Sequence, residues 1–149
     1  MVHEGASIFN RRRHTGSIGN LGGHTARQLV DQGHTVNALV RPTSDLRGLA
    51  GMAISKVASD VMDAASVLAA AHGCDAIIHQ AAVFRMDLDK SDDIIKRAVE
   101  GTRHMLAAAH QRGIRRVVST NSIAAIGFSA DPAVLLDDRS WNCKLMGLP

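Results

Sequence analysis

The chain has no tyrosine, one tryptophan and three phenylalanines in 149 residues. So few aromatic rings provide no platform on which single-stranded nucleic acid could stack. The clearest basic cluster, Arg11-Arg12-Arg13-His14, contains no aromatic residue, and a net charge of +3 suits an anionic ligand without requiring a nucleic acid. We expect no nucleic-acid partner. Cysteine is also scarce. Cys74 and Cys143 stand at no metal-ligand spacing, and the eight histidines form no HExxH or CxxC-partnered pattern, so no metal site is expected. Long hydrophobic runs are missing too, and no stretch approaches the roughly 20 apolar residues of a membrane span. Met1-Val2-His3-Glu4-Gly5 leads into no apolar segment of the kind a signal peptide needs. The expectation is no membrane partner and a cytoplasmic location, which favours free thiols.

What is present is ordinary globular sequence, 46% hydrophobic and 21% charged, enough for one domain over residues 1–149 with its own core. Short β-branched runs alternate with helical patterns from about Gly22 onward. Leu21 to Gln32 reads as a helix with Ala26, Leu29 and Val30 inward, and Gly33 supplies its stop. Thr35 to Val40 reads as a strand, Leu46 to Gly51 as a short helix, and Ile54 to Ala58 as a weak strand. Ala64 to His72 is a helix with Val67, Leu68 and Ala71 inward, followed by a strand at Asp75 to His79. Asp92 to Gln111 is the longest helix, with a stripe of Ile95, Ala98, Val99, Thr102, Met105, Leu106 and Ala109 at helical spacing. Gly113 ends it, and Ile114 to Thr120 is a strand. Strands separated by helices imply βαβ units: an α/β fold with a parallel sheet covered on both faces. Residues 1–14 are atypical of such a fold, and Phe128 to Pro149 reads as a loop-like tail.

The chemistry lies in Thr15-Gly16-Ser17-Ile18-Gly19-Asn20-Leu21-Gly22, a TGxxGxxG pattern that opens the first helix. Gly16 permits a tight turn out of a strand, Gly19 removes a side chain where a pyrophosphate approaches backbone, and Gly22 lets the helix pack closely on the sheet. A helix N-terminus offers free N–H groups and a positive dipole end to the phosphates. Thr15, Gly16, Gly19, Leu21 and Gly22 are therefore candidate dinucleotide-binding residues. Arg41 falls at the end of the second strand, where an acidic residue would favour the ribose hydroxyl of NAD and an arginine suits the 2′-phosphate of NADP. The expected cofactor is NADP, with NAD as the alternative.

Five segments in order resemble one family. Beside the glycine motif they are Leu39-Val40-Arg41-Pro42-Thr43-Ser44-Asp45-Leu46, His79-Gln80-Ala81-Ala82-Val83-Phe84, Val99-Glu100-Gly101-Thr102-Arg103 and Ser119-Thr120-Asn121-Ser122-Ile123-Ala124-Ala125. From about Thr15 to Asn142 the chain resembles the extended short-chain dehydrogenases/reductases, the NAD-dependent epimerase/dehydratase family, and is most similar to dihydroflavonol-reductase-like members. The resemblance implies a Rossmann-like, doubly wound parallel sheet of about five strands in the order 3-2-1-4-5, without the family's C-terminal strands and substrate region. It implies that Asp60 and Val61 meet the adenine end, that Ala81 and Ala82 line the cofactor beyond the fourth strand, and that Ser122 hydrogen-bonds a substrate carbonyl or hydroxyl. It also implies a carbonyl, hydroxyl or nucleotide-sugar type substrate. By analogy, the 92–111 helix is a candidate homodimer surface.

Three departures bear on activity. The strand that should lead into the glycine motif is replaced by Arg11-Arg12-Arg13-His14, and burying those charges in a central strand would cost several kcal/mol each. Ala6-Ser7-Ile8-Phe9 could serve as a displaced strand. Ala98 stands where relatives usually carry an Asn that supports a proton relay, and alanine has no hydrogen-bonding side chain. The family's general acid/base is the tyrosine of a Tyr-x-x-x-Lys pair, and this chain, with no tyrosine, stops in a stretch resembling the one just upstream of it. Two functional readings stay open: the cofactor-binding portion of such an enzyme, with little or no turnover as this chain, and a non-catalytic dinucleotide-binding or interaction module.

Overall fold

The structure is a computed structural model that describes residues 3–4, 7–10, 20–42, 44, 46–80, 83–84, 91–129 and 131–141, with backbone alone at 3–4, 7–10, 20, 83–84, 91–94 and 124. Residues Met1–Ser119 form one compact unit and Thr120–Pro149 a second.

The first unit contains β1 (His3–Glu4), β2 (Ser7–Asn10), α1 (Asn20–Asp31), β3 (Val36–Val40), a 3-10 turn (Arg47–Leu49), β4 (Ser55–Ala58), α2 (Ala64–Ala70), β5 (Ala76–His79), β6 (Val83–Phe84), α3 (Ser91–Gln111) and β7 (Arg116–Ser119). Five strands make one sheet in the order β4-β3-β2-β5-β7, and β1 with β6 makes a separate two-stranded sheet. Counted from the strand before the glycine motif, that order is 3-2-1-4-5, as the family resemblance implies. Both outer ladders are parallel: Leu39 pairs with Val57 between β3 and β4, and Ile77 pairs with Val117 between β5 and β7.

The central strand differs from the expectation of an all-parallel sheet. β2 runs antiparallel to both neighbours, with Ile8 opposite Ala38 and Ile78, and Asn10 opposite Val36 and Ala76. The displaced segment therefore supplies the strand, at Ser7–Asn10, and the arginine run lies outside the described residues.

Helices cover both faces, and the period of two along β3 shows it. Leu39 joins a core with Val67, Ala70, Ala71, Cys74, Ile77, Met105, Ala108, Ala109 and Ile114 beneath α2 and α3. Val36 and Ala38 join the other, with Ala26, Leu29 and Leu49 beneath α1 and the 3-10 turn. The turn approaches α1 closely, since a Cβ built on Gly23 would lie 3.2 Å from the Gly48 carbonyl oxygen. Gly33, at φ 80°, ends α1, and its neighbour His34 donates back to the Leu29 carbonyl at 2.9 Å, a glycine-terminated helix end.

The stripe expected on α3 divides. Met105 and Ala109 are buried, but Ile95, Val99 and Leu106 are exposed by 45%, 42% and 52%. Helical spacing alone does not say how wide the covered arc is, and α2 and β5 cover only one side.

In the second unit a 3-10 turn spans Ile123–Ala125, and no helix or strand follows among described residues 126–141. Its order comes from local bonds: Asp131 Oδ1 accepts from the Ala133 N–H at 2.9 Å and Asp137 Oδ1 from the Arg139 N–H at 2.9 Å.

Candidate functional site

The carboxyl ends of β3 and β4 open into a cleft of about 400 Å³ lined by Arg41, Pro42, Ala58, Ser59, Asp60, Asp63 and Ser66. This is the place where open α/β sheets take ligands. Each wall has a local cause. β3 ends at Val40, and the turn that follows is closed twice: the Arg41 N–H donates to Ser44 Oγ at 3.0 Å and the Ser44 N–H to the Arg41 carbonyl at 3.0 Å. That turn fixes half-buried Arg41 at the rim. The two strand ends are joined by the Ser59 N–H donating to the Val40 carbonyl at 3.1 Å.

The floor is the loop between β4 and α2. Asp60 Oδ1 accepts from the Met62 N–H at 2.9 Å, an Asx turn. Asp63 caps α2, its Oδ1 accepting from the Ala65 and Ser66 N–H groups at 3.0 and 3.3 Å. Ser66 ties the loop to the helix, its Oγ lying 2.8 Å from Ser59 Oγ and donating to the Asp63 carbonyl at 3.0 Å. The cleft thus sets one guanidinium beside two carboxylates and two hydroxyls. A cation that binds a phosphate bidentately and acceptors that read an amino group fit the adenosine end of a dinucleotide.

The structure brings Arg41 and Asp60 into one cleft, with Val61 next along the loop. Leu21 and Gly22 lie in the first turns of α1, Gly22 buried and Leu21 exposed. Thr15, Gly16, Gly19, Ala81 and Ala82 lie outside the described residues. Ser122 belongs to the second unit, where its N–H donates to Asn121 Oδ1 at 2.8 Å and its carbonyl accepts from Ala125 at 2.9 Å. Ser59, Asp63 and Ser66 were not anticipated. An Asp immediately before a helical pattern is a readable cap signal, but nothing in the residue order marks Ser59 or Ser66.

At the end of β5, His79 is 5% exposed and its Nε2 lies 3.2 Å from Thr102 Oγ1 on α3. The Thr102 hydroxyl donates to the Ala98 carbonyl at 2.7 Å, so it accepts from the imidazole N–H. Burial pushes the His79 pKa below the ordinary 6.5, because desolvation disfavours the charged ring. Next to it, Gln80 Nε2 donates to Thr25 Oγ1 on α1 at 3.1 Å. Among the described residues no group of His, Cys, Asp and Glu could hold a metal ion, and no helix is long and apolar enough to cross a membrane.

Comparison with known proteins accords with this geometry. A family model described as NAD(P)H-binding matches residues 16–141. Cinnamoyl-CoA reductase 1 of Oryza sativa subsp. japonica is 33% identical over 137 residues, covering 86% of this chain and 39% of that protein. Sterol demethylase protein B of Methylococcus capsulatus is 33% identical over 119 residues, covering 80% of this chain and 36% of that protein. A solved short-chain dehydrogenase/reductase superfamily protein from Agrobacterium tumefaciens, with bound NAD, superposes with a TM-score of 0.64 at 30% identity, covering 77% of this chain and 33% of that one. The chain therefore spans little more than a third of the length of these relatives. Strand order, the cleft at the strand ends and these matches agree: the chain belongs to the NAD(P)H-binding family, of the extended short-chain dehydrogenase/reductase type.

Proposed function

We propose that the chain holds NADP, with NAD second, as the cofactor-binding portion of a reductase or epimerase acting on a carbonyl, hydroxyl or nucleotide-sugar type substrate. The observation that carries the reading is Arg41, set at the carboxyl end of β3 in the same cleft as Asp60. There its guanidinium would hold the 2′-phosphate, while Asp60 and Val61 would meet the adenine. Thr15, Gly16, Gly19, Leu21 and Gly22 would bear the pyrophosphate at the start of α1, and Ala81 and Ala82 would line the nicotinamide side. When bound, the cofactor supplies hydride transfer. Ser122 would hold the substrate oxygen.

The same reading gives this chain little or no turnover, because it contains no tyrosine and Ala98 cannot relay a proton. Those two features also favour the second reading, a dinucleotide-binding or interaction module without catalysis. The 92–111 helix is proposed as a homodimer surface, supported by its exposed Ile95, Val99 and Leu106. The location is proposed as cytoplasmic, without nucleic-acid or membrane partners.

Titration of the chain with NADP, NAD and ADP, followed by melting temperature, tests the reading. A saturable rise with NADP exceeding that with NAD is expected. Arg41→Ala should weaken NADP by roughly 10- to 100-fold, the worth of a charge-assisted hydrogen bond, and leave NAD within about twofold. No rise with any dinucleotide, or an equal loss for NAD and NADP, would overturn it.

A further inference from the structure

The loop that floors the cleft is gripped from a helix that does not line it. Val61 follows Asp60, and its carbonyl accepts a hydrogen bond from His104 Nδ1 on α3 at 2.8 Å. A carbonyl can only accept, so Nδ1 carries the proton. On the same face, Gly101 leaves a notch for the Val61 side chain: a Cβ built on Gly101 would stand 3.1 Å from Val61 Cγ2 and 3.3 Å from its Cβ. Residues three apart on a helix share a face, so one patch of α3 receives both the carbonyl and the side chain of one loop residue. α2 holds the same loop as well, with Ser66 Oγ 3.3 Å from both the N–H and the carbonyl of Asp60. Neither Gly101 nor His104 lines the cleft.

We propose that His104 and Gly101 are positioning residues for the adenosine end of the cofactor, acting through Val61 to hold Asp60 at the height where it meets the base. The proposal rests on the cofactor reading above and adds to it a part of α3 with no ligand contact of its own. It makes a sharp chemical distinction. The side-chain amide nitrogen of asparagine is as many bonds from its Cα as histidine Nδ1, and it also donates. His104→Asn therefore keeps the bond, and His104→Leu removes it at similar bulk.

The test pairs ADP binding by calorimetry with amide hydrogen exchange of the free chain. His104→Leu should weaken ADP about fivefold to tenfold, the worth of one neutral hydrogen bond, and speed exchange at residues 59–63 while β5 keeps its protection. His104→Asn should restore both readouts, and Gly101→Ala should move both in the direction of His104→Leu. Unchanged ADP affinity with unchanged loop exchange in His104→Leu overturns the proposal. So does failure of asparagine to restore, with exchange rising across the sheet, since that describes a general loss of packing. If the parent chain does not bind ADP at all, the cofactor reading fails. The exchange data still decide whether His104 holds the loop.

Discussion

The two faces of α3 are both apolar but differ in size and in burial. Toward the sheet and α2 the helix presents Gly101, Met105, Ala108 and Ala109, all buried, and mostly small. Away from them it presents Ile95, Val99 and Leu106, larger and branched, yet each more than two-fifths exposed. Met105 and Leu106 are adjacent in sequence, and one is fully buried while the other is 52% exposed. Burial on this helix is thus decided by what lies opposite. Small residues let α3 approach its neighbours closely, and the bulky aliphatic arc stays exposed.

The largest effect should come from the covered face. Met105→Ala removes a fully buried side chain and should cost about 2–5 kcal/mol in urea unfolding. A cost as small as Leu106→Ala would erase the contrast. A second, pH-dependent effect comes from the seam between α3 and β5. The His79 pKa is lowered in the folded chain, so the unfolded chain binds the proton more readily. This contribution is complete above about pH 6.5 and declines as the pH falls below that. His79→Gln keeps a donor for Thr102 and removes the titration, so the acid-side fall in stability should be shallower than in the parent. Parallel curves would show that His79 does not titrate as its burial demands. The smallest effect on stability belongs to the outer face, where Leu106→Lys should change unfolding free energy by no more than about 0.5 kcal/mol. In sedimentation, however, it should convert a parent dimer to monomer. A monomeric parent would remove the dimer from consideration.

Elements with local signals were legible in the sequence. Gly33 and Gly113, both at positive φ, stop α1 and α3 where composition places them. The weak run ending at Ala58 is β4, and the strand order is the one the family resemblance implies. What escaped depended on partners distant in sequence. The reversal of β2 is not written in Ser7–Asn10 themselves, which suit either direction. The split of the α3 stripe depends on the reach of α2 and β5. The same holds for the cleft. Arg41 could be placed at the end of a strand, and Asp60 through the family resemblance. Ser66 matters because it ties a loop to α2, and Gly101 and His104 because Val61 comes to rest on them from another crossover.

The reversed strand has one more consequence, for the integrity of the sheet. β3 with β4, and β5 with β7, are two parallel ladders that share no hydrogen bond; in the described residues β2 alone is laced to both. Four residues near the amino terminus therefore act as the hydrogen-bonded seam of the sheet, and without them the ladder bearing the Arg41 rim and the ladder bearing the His79 end would be joined only by packing, through the shared core of Leu39 and Ile77 beneath α2 and α3.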